Sequence, residues 1–141
     1  MLDAGGFDTT RVGVTEDWQL SMHIAALGPI LYLPETLASY RRHDENISTI
    51  FSEKVSQGTV HGLESMAEVV EKRAESKLTD IYKRELYRAY ISAGWSHRQI
   101  GNKRATIRNY IRALRLKPWN LGLALRIVML SILPTRLIGS D

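Results

Sequence analysis

Cysteine is absent from all 141 residues. That excludes a disulfide framework, a thiol nucleophile and a thiolate zinc site, so any metal would need carboxylates or histidines. His23, His43, His61 and His97 show no ligand spacing with one another, and no serine stands in a nucleophile elbow, so no metal site is assigned. Acidic residues are missing between Glu85 and Asp141, where Arg88, Arg98, Lys103, Arg104, Arg108, Arg112, Arg115, Lys117, Arg126 and Arg136 all lie. The net charge of +4 therefore hides a basic last third. Such a block suits anionic lipid, nucleic acid or an acidic protein, and charge alone does not choose among them. A long hydrophobic run is also missing: residues 121–133 are largely apolar but contain Arg126 and fall short of the ~20 residues that span a bilayer. The first residues lack the basic and apolar regions of a secretory signal, which makes the cytoplasm the default.

What is present fits one modest globular domain with its own core, since 44% of residues are hydrophobic and 24% charged. Three regions separate along the chain. In residues 1–50, Thr15 is a plausible N-cap, Glu16 and Asp17 suit the positive end of a helix dipole, and Gly28-Pro29 is a stop, which predicts a helix over 16–27. Its apolar stripe is Leu20, Ile24 and Leu27, and Asp17 shares that side at spacings of three and seven from Leu20 and Ile24, so the carboxylate is expected to aim inward. Ile30-Leu31-Tyr32-Leu33, closed by Pro34, reads as a short buried strand, and residues 37–42 as a second extended segment. The second region predicts one helix over about 60–77. The third, 79–133, predicts three helices, broken near Trp95-Ser96-His97 and near Lys117-Pro118-Trp119-Asn120. In the middle one, Ile107, Tyr110, Ile111 and Leu114 form an apolar face, opposite Arg104, Arg108, Arg112 and Arg115. The expected class is α+β, mostly α.

The pieces Ala4-Gly5-Gly6-Phe7-Asp8, Glu16-Asp17-Trp18 and Tyr40-Arg41-Arg42-His43 with Ser48 come in a fixed order. Together they resemble the end of the GT-A catalytic domain of family 2 glycosyltransferases, over roughly the first third of the chain. The resemblance implies that 1–50 is the C-terminal portion of such a domain and 51–141 a helical extension. It also implies inverting transfer from a nucleotide-sugar to a hydroxyl of a sugar or lipid-linked acceptor, with Asp17 as general base. That chemistry needs an ionised carboxylate within hydrogen-bond reach of the hydroxyl. Gly5 and Gly6 would form the turn on the acceptor side. Glu16 would support the base, Trp18 would pack beside it or stack on a sugar, and Arg41, Arg42 and His43 would close over the diphosphate. Two positions depart from the family, His23 where a strongly basic residue is frequent and Thr9 where an acid is frequent, and both leave substrate choice open.

The Asp-any-Asp motif that holds the family's divalent cation, Mg or Mn, occurs nowhere in the chain. The cation and the donor are therefore assigned to upstream sequence, no cofactor is expected in this fragment, and the fragment is expected to be inactive. A second resemblance covers 87–120, where Tyr90, Gly94, Tyr110, Ala113 and Pro118 are spaced as in one tetratricopeptide repeat. There a small residue lets two helices approach, an aromatic fills the groove and proline ends the second helix. Residues 121–133 read as a core helix, with an interfacial helix on anionic lipid at the inner face of the membrane as the alternative. The rival functions are a helical protein-interaction module or homodimer, and a nucleic-acid-binding domain, which no recognised module accompanies.

Overall fold

The computed structural model describes residues 6–7, 15–41 and 53–132. Six helices follow one another: α1 (Glu16–Leu27), α2 (Glu53–Ser65), α3 (Ala67–Arg73), α4 (Ser76–Gln99), α5 (Lys103–Leu116) and α6 (Leu121–Ile132). Helix accounts for 75% of the described residues and none of them is in a strand, so the α+β class is corrected to an all-helical bundle. Residues 29–41, where two strands were expected, are neither helix nor strand. Apolar patterning supplies the face of a strand but not the neighbouring strand that its backbone must pair with, and no such neighbour exists among the described residues.

Two helix boundaries also differ from expectation. The single helix over 60–77 is instead α2 and α3, separated by a turn at Met66, with Ala74 in the left-handed region (φ 51°) ending α3. The break near Trp95-Ser96-His97 does not form; α4 continues to Gln99, and the chain turns at Gly101 (φ +73°). Those polar residues are absorbed by α2 rather than by a loop. The Ser96 hydroxyl lies 2.8 Å from that of Ser56, and buried His97 has Nδ1 3.2 Å from Glu53 Oε1 and Nε2 3.3 Å from Gln57 Nε2. Asn102 then caps α5, its side chain accepting the Ala105 N–H at 3.2 Å.

Helix α4 is the spine on which α2 and α5 pack. A Cβ placed on Gly94 would stand 2.3 Å from Tyr110 Cε1, so hydrogen at this position is what lets the ring of α5 lie against the α4 backbone. Tyr110 and Ala113 are fully buried there, beside Ala93 and Ala89. The buried side of α5 is Ala105, Thr106, Asn109, Tyr110 and Ala113, whereas Ile111 is exposed and Ile107 and Leu114 lie on the flank. The expected apolar face is thus displaced. Close approach selects small side chains, and the two polar ones are satisfied within the helix, Thr106 Oγ1 donating to Asn102 O and Asn109 Nδ2 to Ala105 O.

A clasp joins three helices. Glu64 Oε1 of α2 accepts the Tyr90 hydroxyl of α4 at 2.7 Å and Arg112 Nη1 of α5 at 2.8 Å, and the guanidinium sits 5.7 Å from the Tyr90 ring centre. Burial, then the bond to Glu64 and its negative charge, push the Tyr90 phenol well above its ordinary value. Beyond α5, Asn120 Oδ1 caps α6 through the Leu123 N–H and its Nδ2 donates to the Tyr87 hydroxyl, while Lys117 Nζ lies 4.5 Å over the Tyr87 ring. Leu123 and Leu130 bring α6 into the core.

Gly94→Ala should therefore cost about 1–3 kcal/mol or more in urea unfolding, because neither the ring nor the α4 backbone can give way. Tyr110→Phe should be neutral or stabilising, since its buried hydroxyl has no hydrogen-bond partner among the described residues. Above pH 10, the unfolded chain sheds the Tyr90 proton while the folded one keeps it, so stability should fall as pH rises. Tyr90→Phe should flatten that slope; an unchanged slope would remove Tyr90 as its source.

Candidate active site

Helix α1 carries the proposed acid and is seated on α2. Thr15 stands at its N-cap without a capping bond; its Oγ1 instead accepts Gln19 Nε2 at 3.1 Å. Gln19 Nε2 also reaches Gly58 O at 3.4 Å. A Cβ on Gly62 would meet Gln19 Cγ at 2.7 Å and Trp18 Cζ3 at 2.9 Å, so Gly58 and Gly62, four apart on α2, form the floor beneath α1. At the other end, His23 Nε2 lies 3.2 Å from Ser65 Oγ, and Arg73 Nη2 of α3 donates to Ala26 O at 2.8 Å. The arginine takes up one of the carbonyls that a helix end leaves open.

This seating corrects the expected orientation of the helix. Leu20 is buried, but Ile24 and Leu27 are exposed, and the inward side is completed by Gln19. Asp17 is exposed rather than aimed inward. Its Oδ1 accepts the Trp18 N–H at 2.7 Å, satisfying one open amide of the first turn. Glu16 is half-buried on the same turn. Trp18 is 39% exposed, with one ring edge over Gly62, which matches a packing role. Gly6 has φ +70° with open space where a Cβ would be, so conformation and not crowding explains glycine there. Arg41 is exposed at the end of 29–41. Gly5, Arg42 and His43 lie outside the described residues. The structure thus brings together Glu16, Asp17 and Trp18 on one turn of helix.

An open groove of about 570 Å³ adjoins this turn, walled by Trp18, Met22 and Ala25 of α1, Leu63 of α2, Val69 and Val70 of α3, and Ile81, Tyr82 and Ala89 of α4. Its lining is mostly apolar, and Arg73, Glu85 and Arg88 also border it. Arg84, with Arg88, holds the Glu85 carboxyl below the usual carboxylate range. This groove has no contiguous signature in the sequence. Its signals are Met66, Val69 and Val70 at helical spacing and the glycine pair at 58 and 62, readable as a seat for a helix.

Among the described residues, no three histidine, aspartate or glutamate side chains gather as metal ligands. The described residues therefore do not fit a divalent cation by themselves, and no step of the chemistry is routed through one. No family model matches the chain, and no curated protein or solved structure matches it.

Replacing Gly62 with Leu should lift α1 from α2 while leaving the α4–α5 pair intact. Hydrogen exchange is expected to accelerate at α1 amides and to remain unchanged in α5. Equal protection of α1 in both proteins would show that Gly62 is not its seat.

Proposed function

We propose that this chain is the closing piece of an inverting family 2 glycosyltransferase, with a helical extension, in which Asp17 takes the proton from the acceptor hydroxyl. The carrying observation is the exposure of Ile30, Leu31, Tyr32, Leu33, Leu37 and Tyr40, each 61–87% open to solvent within one segment. Six large apolar residues so close together call for a covering layer. The catalytic domain that the motifs resemble would supply that layer. Asp17, facing out from a turn fixed by Gln19 and Gly62, is open to a substrate held by that missing half.

In this reading the acceptor oxygen forms its bond to the anomeric carbon as the bond to the nucleoside diphosphate breaks, and the hydroxyl proton passes to the Asp17 carboxylate. Inversion follows from attack opposite the leaving group. Arg41, Arg42 and His43 meet the charge that grows on the diphosphate. A divalent cation, where the full enzyme holds one, would be bound by residues other than the described ones and would offset charge on the diphosphate. The apolar groove beside Trp18 favours an acceptor with an apolar portion, as a lipid-linked sugar has, over a wholly polar one. The enzyme would work in the cytoplasm, reaching the inner face of the membrane where such acceptors lie.

In the full-length protein, Asp17→Asn should lower kcat by about 10²–10⁴-fold with little change in KM for the nucleotide-sugar. Circular dichroism should match the parent, because the acid is exposed. Undiminished turnover of nucleotide-sugars by that variant would remove Asp17 as the base.

A further inference from the structure

Helix α6 is apolar on both sides. Leu123 and Leu130 enter the core, yet Leu121, Leu125, Val128, Met129 and Ile132 remain 51–79% exposed. Their spacing of 0, 4, 7, 8 and 11 places them on a single outward stripe. Trp119, 90% exposed, sits just ahead of it, its carbonyl accepting the Leu121 N–H at 2.9 Å. Arg126 lies on the flank of the stripe and Lys117 two residues before Trp119. No acid occurs in α5, α6 or their connection.

Charge decides what covers this face. The same face of a second copy would bring no carboxylate from α5, α6 or their connection to pair Arg126 and Lys117. An anionic bilayer surface satisfies both features at once, since its phosphates take the cations and its acyl boundary takes the stripe. An exposed tryptophan at the rim suits the headgroup level. No described helix is long and apolar enough to cross a membrane, so the contact is one of lying on the surface.

We propose that Trp119 and the outward stripe of α6 form a membrane-docking face that takes anionic phospholipid. It rests on these residues alone and not on glycosyl transfer, so the two can fail separately.

The test is sedimentation of the 141-residue chain with vesicles of phosphatidylcholine, alone or mixed with phosphatidylglycerol. The chain should sediment with the mixed vesicles and about tenfold less with phosphatidylcholine alone, and raised salt should weaken binding without abolishing it. Combined Leu125→Ser, Val128→Ser and Met129→Ser should cut binding to mixed vesicles about tenfold, with helix content checked by circular dichroism. Trp119→Ala, outside any helix, gives the same reading if the triple variant fails to fold. Absence of binding to mixed vesicles, or variants that bind like the parent, would overturn the proposal. So would a chain that is dimeric by light scattering, becomes monomeric in these variants and ignores vesicles, because the face would then be a contact between copies.

Discussion

The contact between Gly94 and Tyr110 sets the spacing of everything else in the bundle. With hydrogen in place of a Cβ on α4, the ring of Tyr110 can lie on the helix backbone, and the axes of α4 and α5 close to a distance that only small residues tolerate. Ala93 and Ala113 meet in the resulting seam, and the larger Ile107 and Leu114 are pushed to its edge. The same approach brings Arg112 within reach of Glu64, so α2 is clasped to a pair that is already formed. It also sets the direction in which the chain leaves α5. Asn120 then bonds back to Tyr87 on α4, and α6 starts from a fixed point.

Helix α1 is a dependent of that arrangement. Its seat is α2, and α2 is held by α4 through Leu63, Val60 and the Ser56–Ser96 pair. Beside Leu20 and Met22, the contacts at its inner side are small or polar: a glycine floor, a glutamine, and an arginine on a terminal carbonyl. Such contacts fix direction well but bury little apolar surface, which makes α1 the least anchored of the helices that touch the bundle. A helix of this kind presents an acid at a defined angle while leaving its outer side for another layer. That is the physical condition under which Asp17 could serve a site completed by residues outside the bundle.

Much of the helical architecture was legible in the sequence, and the reasons are local. Asp17 and Glu16 at a first turn, Gly28-Pro29 at a stop and Gly94 spaced against Tyr110 each reflect backbone chemistry that acts over a few residues. The errors arise where partners decide. Ser96 and His97 resemble a loop until α2 supplies Ser56, Gln57 and Glu53. Ile107 and Ile111 resemble a core face until the glycine contact draws α5 round to its small side. Asp17 points inward only if Ile24 and Leu27 are buried with Leu20, and the helix sits instead on Gln19 and Leu20. For the site, its turn of helix was readable, whereas the adjoining groove is assembled from four helices and has no contiguous signature.

The apolar surface left open occurs in two forms that make different physical demands. Every interior backbone amide of α6 is already bonded within the helix, so only its side chains need covering, and a lipid boundary can do that as well as a protein. Residues 30–40 are not in helix or sheet, and their peptide groups would carry N–H and C=O groups into any apolar layer. Lipid offers those groups nothing. A cover for that segment must therefore offer hydrogen-bond partners as well as apolar area. The two open surfaces therefore ask for different covers, one that meets side chains alone at α6 and one that also meets peptide groups at residues 30–40.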